Sequence, residues 1–466
     1  MRRIAIIADD LTGAADTAVQ FCPYFEDTLL IAYDRLTREH ADISGTSSQA
    51  LAIFTDTRSL DANSARRRLA DMAPLLKEMQ LDWVYKKVDS CLRGNIGAET
   101  EVLMGKLGCD VSFIAPAFPV MGRTTVDDVH RVHGRPVDRT EIGRDPVAPV
   151  TDSRLSRVVA SQSRHPTGHV GLALIQGPKA ELHAEIRRLI DKGVRHVVFD
   201  VTSQQHLERI ARMMFSLPYK IIGVGSAGLA AGMGFALTPK AAEQDHAMLE
   251  AQAGNHLLVC GSASDVTAGQ VAELTSIYPY KVIALSAGLL ADSRRRSELD
   301  ARADSARASL AQHDMILRID SLSKKDSRHI GKNRTPDPEH MVEGLAFFAA
   351  AVLKTLKPAG LFLTGGDTAN AVLRALDAAG IHILGEIAAG MVAGKIAGGP
   401  LSGLAVATKA GAFGRRDALV QLHEYWKQDS VRFAHNGNVG MLGQPGNGCL
   451  LRGKAHGCAQ ALLSKV

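Results

Sequence analysis

Residues 4 to 21 of the 466-residue chain read IAIIADDLTGAADTAVQF. An apolar run that suits a buried strand stops on two adjacent carboxylates, Asp9 and Asp10. A carboxylate in that position has to be solvated, paired or used. One can cap the helix that begins at Leu11, because Asp is a preferred N-cap. The other can take or orient the proton of a substrate hydroxyl. The base is left open between Asp9, Asp10 and a third aspartate, Asp89.

Cations stand at comparable places. Arg58 follows the strand-like LAIFTDT (51–57), and its planar fork suits a carboxylate or phosphate, with Asp56 or Asp61 as the competing surface partners. In YKKVDSCLRGNIG (85–97), Lys86 and Lys87 point to opposite faces of a strand. Asp89 and Ser90 end that strand, and Arg93 leads into a helix N-terminus, whose N–H groups and dipole favour an anion. PAFPVMGRTTVDD (116–128) reads as an ordered loop, and His130 and His133 as ordinary polar residues. No Cys, His and carboxylate set has zinc-ligand spacing.

The second half has three Gly- or hydroxyl-rich strand ends: GSASDVTAGQ (261–270), LTGGDTANAV (363–372) and TKAGAFG (408–414). They supply Ser262, Gly365, Gly366, Asp367, Thr368, Lys409 and Gly411. Glycines let backbone N–H groups approach phosphate oxygens, so three such turns together point to a polyphosphate ligand. Asp367 is the candidate Mg²⁺ ligand, through oxygen or water. No G-x-x-x-x-G-K-[ST] loop occurs. GVGSAG (223–228) matches G-x-G-x-x-G, but one helix and a polar stretch follow it, not a second strand ending in an acid. It reads as tight strand–helix packing.

The elements that must position these residues alternate. IAIIA (4–8), TLLIAY (28–33), LAIFTDT, WVYKKVD (83–89), VSFIAPA (111–117), LALIQG (172–177), HVVFDV (196–201) and KIIGVG (220–225) read as strands. Helical segments separate them, among them NSARRRLADMAPLLKEM (63–79), with Asn63 as cap and a kink or early end at Pro74. After a polar break, HLLVCGSAS, KVIALS (281–286), DMILRI (314–319), a helix over about 339–356, GLFLTGG (360–366) and GLAVATKAG (403–411) repeat the theme. This predicts an α/β fold of two domains, each with a mostly parallel sheet flanked by helices. The expected boundaries are 1–236, a linker at 237–254, 255–426, and a tail at 427–466 that is flexible by composition. The charged stretch 321–340 reads as a loop-like insertion. Ligands of such sheets sit at the C-terminal strand ends, which places the active site in the cleft between the domains.

Composition bounds the partners. Hydrophobic residues make up 46% and charged residues 22%, and the formal net charge of +5 is small for this length. That gives a mild bias toward anionic ligands and no support for nucleic acid. The six cysteines have no CxxC pair and read as reduced thiols of a cytoplasmic protein. No uncharged apolar run is long enough to span a membrane, and no signal peptide is expected.

Taken in order over about residues 4–420, ADDLTGA, KKVDSCLRGNIGAE, PAFPVMGRTTVD, GSAGLA, LTGGDTA and TKAGAFG resemble the four-carbon acid sugar kinases. The resemblance implies an N-terminal sugar-acid-binding domain, a C-terminal nucleotide-binding domain, and ATP-dependent phosphorylation of the terminal hydroxyl of threonate, erythronate or 3-oxo-tetronate. It also implies substrate contacts at Asp9, Arg58 and Lys86–Ser90, and ATP contacts at Ser262, Gly365–Thr368 and Gly411. Cys91 stands where the family usually has Thr, and Ala412 where it has Gly. D-threonate is the preferred substrate reading, with Mg²⁺ as cofactor. Oligomeric state is open, a homodimer being one form. The readings from other classes are a nicotinamide-dependent hydroxy-acid oxidoreductase, resting on GVGSAG, and a non-catalytic sugar-acid sensor.

Overall fold

The computed structural model describes residues 2–37, 48–145, 148–237, 253–262, 264–320 and 337–427. Most of the expected linker, most of the charged insertion, the tail and Cys449 and Cys458 lie outside the described residues. The first half supplies strands β1 (Arg3–Ala8), β2 (Asp27–Ala32), β3 (Gln49–Phe54), β4 (Trp83–Lys87) and β5 (Val111–Ala115). Three short strands follow, β6 (Arg123–Val126), β7 (Val129–Val132) and β8 (Arg135–Pro136), then β9 (Thr167–Val170), β10 (His196–Phe199) and β11 (Ile221–Gly225). The second half supplies β12 (His256–Cys260), β13 (Lys281–Ser286), β14 (Met315–Asp320), β15 (Gly360–Thr364), β16 (Gly380–Ala388), β17 (Met391–Ala397) and β18 (Ala405–Lys409).

The sheet order in the first half is β2-β3-β1-β4-β11-β5-β10-β9, all parallel, with helices on both faces. Double coverage explains why β1 reads as an unbroken apolar run, with Ile4 to Ala8 fully buried. The second half has the parallel order β13-β14-β12-β15-β18. A β16–β17 hairpin then pairs antiparallel with β18 on one side and β2 on the other, which makes one 15-stranded sheet of both halves. Neither this hairpin nor the small β6–β8 sheet was expected from periodicity, because both are short or interrupted by Gly. Among the described residues, no helix is long and apolar enough to cross a membrane.

Local expectations fail in three places. LALIQG is a short helix, Leu172–Gln176, and the strand lies just before it at β9; a short apolar run carries no reliable period. Asp61, not Asn63, caps the helix Ala62–Glu78, accepting from Asn63 and Ser64 N–H. That helix neither ends nor breaks at Pro74 and continues to Glu78. The helix expected from 339 begins at Pro338, a favoured first-turn position, with Asp337 as its cap.

Candidate active site

Because β1 lies between β3 and β4, three strand ends converge: Asp9–Asp10, Asp56–Arg58 and Lys87–Ser90. Asp10 caps the helix Leu11–Ala18 by accepting from the Gly13 N–H at 3.1 Å, and the Thr12 hydroxyl donates to it at 2.7 Å. Arg58 grips Asp9 with two parallel bonds, Nε to Oδ2 at 2.9 Å and Nη2 to Oδ1 at 2.8 Å. The same Nη2 donates to Asp10 Oδ1 at 2.6 Å. Burial pushes Asp9's carboxyl up, but Arg58, aided by Lys86 and Lys87, holds it below the ordinary carboxylate value.

The two lysines of β4 have different surroundings. Lys86 is fully buried and ion-paired to Glu99 on the helix Ile96–Leu107, at 2.6 Å. Glu99 also accepts from Thr57 Oγ1, so Lys86 closes a buried network beneath β3. Lys87 packs over Gly13, where a Cβ would sit 2.7 Å from its Nζ. Among the described residues, no carboxylate lies within ion-pairing distance of Lys87, although it is 5% exposed. Asp89 is held by Arg93 through Nε at 2.8 Å and Nη2 at 3.1 Å. Burial opposes Asp89's charge, yet Arg93 and Arg58 keep its pKa well below the ordinary range.

Ser90 is fixed through its backbone. His130 Nε2 lies 2.8 Å from the Ser90 carbonyl, and Nδ1 lies 3.0 Å from Thr125 Oγ1. A carbonyl can only accept, so Nε2 carries the proton and the threonine donates to Nδ1. Burial holds His130 down at about 4, and it stays neutral at pH 7. It is therefore a support for the β4 turn, a role its place in the sequence does not announce.

In the second half, β12, β15 and β18 are neighbours, so the three glycine- or hydroxyl-rich turns meet. A Cβ on Gly261 would overlap Thr368 Oγ1, and one on Gly411 would overlap Ser262 Oγ. The carbonyls of the 410–415 loop are turned inward. Ser264 Oγ and Thr267 Oγ1 each donate to Gly411 O at 2.8 Å. Gln270 Nε2 donates to the carbonyls of Phe413 and Arg415, and Lys409 Nζ to those of Ala410 and Phe413. Burial brings Lys409 down to about 8. Its ammonium is thus used on the loop itself. Phe413 N–H bonds the Ala410 carbonyl, and carbonyl capture of this kind leaves the other N–H groups of the loop as the face suited to an anion.

The two halves meet where a Cβ on Gly366 would stand 3.5 Å from Thr12 Oγ1 and 3.6 Å from Asp10 Oδ2. A cavity of about 1780 Å³ opens there. Asp9, Asp10, Arg58 and Arg93 line it from one half and Gly366, Asp367 and Gly411 from the other. Lys86, Lys87, Asp89, Ser90, Ser262, Gly365, Thr368 and Lys409 stand behind that lining. Asp56 faces it too, with a left-handed φ of 52°, and Asn370 donates to its Oδ2 at 3.4 Å. Both Asp56 and Asp367 reach solvent, yet the cavity walls desolvate them and raise both pKa values. Asp367 adds to the rise at Asp56, and Asp10 to that at Asp367. Sequence reasoning also passed over Asp16, on the helix Leu11–Ala18, which burial raises to about 6 against the pull of Lys87. The GVGSAG glycines are filled by packing: a Cβ on Gly223 would meet Met214, Met233 and Tyr85, and one on Gly225 would meet the Ala115 carbonyl.

One part of the continuous sheet carries paired Asp–Arg groups at its strand ends and the other carries glycine turns with inward carbonyls, which defines an α/β protein of two unlike halves. Residues 4–233 match the sugar-binding N-terminal domain family and residues 257–419 the nucleotide-binding C-terminal domain family. The chain is 32% identical to a D-threonate kinase of Bordetella bronchiseptica, over 90% of this chain and 96% of that one. It is 31% identical to a D-threonate kinase of Salmonella typhimurium (92% and 100%) and 28% identical to a D-erythronate kinase of Heliobacterium modesticaldum (91% and 97%). A solved Salmonella typhimurium LT2 protein, carried under a provisional tRNA synthase label, superposes with a TM-score of 0.75 at 25% identity, covering 91% of this chain and 99% of its own. The chain belongs to the four-carbon acid sugar kinase family.

Proposed function

We propose that the protein transfers the terminal phosphoryl group of ATP to the 4-hydroxyl of a four-carbon sugar acid, D-threonate first among the candidates. The observation that carries this reading is the approach of the Gly366 backbone to Asp10 and Thr12. It sets a proton acceptor of one half against a phosphate-suited turn of the other, within the cavity between the domains. The names of the D-threonate kinase relatives support the substrate choice; a 3-oxo-tetronate kinase of Brucella melitensis at 30% identity and the D-erythronate kinase keep those two acids as alternatives.

In this reading Asp10 orients the attacking hydroxyl and takes its proton, while Arg58 holds Asp10 and Asp9 in place. Lys87 and the Asp89–Ser90 turn serve the acid, and the N–H groups of 366–368 and of 411–412 hold the phosphates. Among the described residues, no three His, Cys, Asp or Glu side chains are grouped to hold a metal alone. That fits Mg²⁺, which takes one or two carboxylates and completes its shell with phosphates and water. Asp367 is the residue that would hold it, since burial and then crowding by Asp10 raise its pKa, and a cation offsets both. The ion would supply charge that offsets the phosphates. Release of ADP, measured with D-threonate, D-erythronate and 3-oxo-tetronate with and without Mg²⁺, tests the proposal. No turnover on any of the three acids refutes it.

A further inference from the structure

Most of the cations at the converging strand ends are engaged. Arg58 is taken by Asp9 and Asp10, Arg93 by Asp89 and Asp145, Lys86 by Glu99 and Lys409 by loop carbonyls. Phosphoryl transfer adds several negative charges, which need cations not already neutralised. Beside the Asp89–Ser90 turn, Lys87 and Arg123, the first residue of β6, have no carboxylate within ion-pairing distance among the described residues.

Arg123 is held firmly. Its backbone exchanges two hydrogen bonds with Phe118, Phe118 N–H to Arg123 O at 2.9 Å and Arg123 N–H to Phe118 O at 3.1 Å. The turn between them is closed by Gly122, whose φ of 73° suits glycine. Two residues on, Thr125 exchanges backbone bonds with Val201 at 2.8 Å each. The side chain then reaches toward the other half, with its guanidinium carbon 6.0 Å from the centre of the Phe413 ring. Phe413 belongs to the 410–414 loop and lines the cavity. Nη1 donates only to the neighbouring Met121 carbonyl, and Nε is buried without any partner. On its inner side Arg123 lies against the Cys91 thiol, next to the Asp89–Ser90 turn. A half-buried guanidinium whose buried Nε has no partner, set between the acid-side turn and the 410–414 loop, is suited to an oxyanion.

We propose that Arg123 is a catalytic residue whose guanidinium pairs with the oxygens of the phosphoryl group as it passes between the halves. This rests on the kinase reading above. In the step it serves, the bond from the γ-phosphorus to the β–γ bridging oxygen breaks and ADP leaves. The substrate's terminal oxygen bonds to that phosphorus, and its proton passes to the aspartate. Arg123 keeps its own protons throughout. The contact to Phe413 favours the phosphoryl group over the substrate carboxylate, which lies at the far end of a four-carbon acid from the reacting hydroxyl.

Steady-state kinetics of Arg123→Gln and Arg123→Lys, with D-threonate and MgATP each varied, separate the outcomes. A transition-state role lowers kcat about 100-fold or more in Arg123→Gln and leaves both KM values within about threefold. Arg123→Lys should recover part of the loss. Phe413→Leu, which leaves the arginine in place, should lower kcat about 10-fold in the same direction. A raised KM for threonate at unchanged kcat would make Arg123 a carboxylate reader and overturn the proposal. Unchanged kcat in Arg123→Gln, with or without a lower melting temperature, overturns it as well. An inactive wild type would sink the kinase reading itself, whereas an unaltered Arg123→Gln beside an active wild type sinks only this one.

Discussion

Arg58 and Asp9 are joined by two parallel hydrogen bonds, 2.9 and 2.8 Å long, and Asp9 is only 3% exposed. Removing the arginine leaves a buried carboxylate uncompensated. Arg58→Ala should therefore destabilise the protein by about 3–5 kcal/mol at pH 7. Asp9's folded pKa is lowered from its ordinary 3.8, so the pair's contribution is present above that value and lost as the pH falls below it. The gap between wild type and variant should narrow as the pH is lowered below 3.8; a gap independent of pH would contradict the assignment.

Asp10 and Asp9 should part company in kinetics. Asp10→Asn keeps an oxygen for the Gly13 cap but loses the proton acceptor. The expectation is a fall in kcat of about 100-fold or more, with ATP affinity retained. Asp9→Asn should act mainly through stability, because its side chain is 4% exposed, against 19% for that of Asp10. Equal kcat losses in the two variants, at equal stability, would remove this distinction.

The adjacent lysines give opposite expectations. Lys86→Met strands the buried Glu99 and should cost about 3–5 kcal/mol of stability. Lys87→Met removes no ion pair, so its stability should stay within about 1 kcal/mol of wild type while turnover of the acid drops. Chemical denaturation beside the ADP-release assay reads both.

Gly411→Ala places a methyl group onto Ser262 Oγ. The 410–414 loop must shift, and KM for ATP should rise about 10-fold while KM for the acid changes little. An unaltered KM for ATP would take this loop out of nucleotide binding.

Asp16 gives a pH signature. Its folded pKa of about 6 lies above the ordinary 3.8, so the folded state binds more protons than the unfolded one between those values. Wild-type stability from this group is full below about pH 4 and is lost as the pH rises through about 6. Asp16→Asn should be more stable than wild type at pH 8, by about 1–2 kcal/mol after allowance for solvent screening, and indistinguishable at pH 4. A stability difference independent of pH would refute the shift.

Most of the parallel strands were legible, because central strands covered on both faces are apolar but for an end residue, as β1, β3 and β15 are. The β16–β17 hairpin was not, because Gly385, Gly390 and Gly394 and two register shifts interrupt its pattern. The strand-end residues were legible as a set, but their partners were not. Nothing local distinguishes Lys86 from Lys87; the pairing of β1 with β4 and the helix carrying Glu99 do. Arg123 was hidden in a loop whose role depends on Phe413, 290 residues further along the chain.

The sequence alone determined which polar and glycine-rich groups stand at strand ends: Asp9 and Asp10 after one apolar run, Gly365 to Asp367 after another, Lys409 to Gly411 after a third. Such groups are too costly to bury within strands and too specific for ordinary turns. Only the tertiary structure decided that these ends meet. Through β16 and β17 the parallel strands of the two halves run antiparallel to each other, which on a flat sheet would send their C-terminal ends to opposite edges. Six strand-to-strand steps separate β1 from β15, and a twist of roughly 20–25° at each step turns one half against the other by roughly 120–150°. That rotation is what sets Gly366 beside Asp10, and it comes from strand pairing over the whole chain rather than from any one motif.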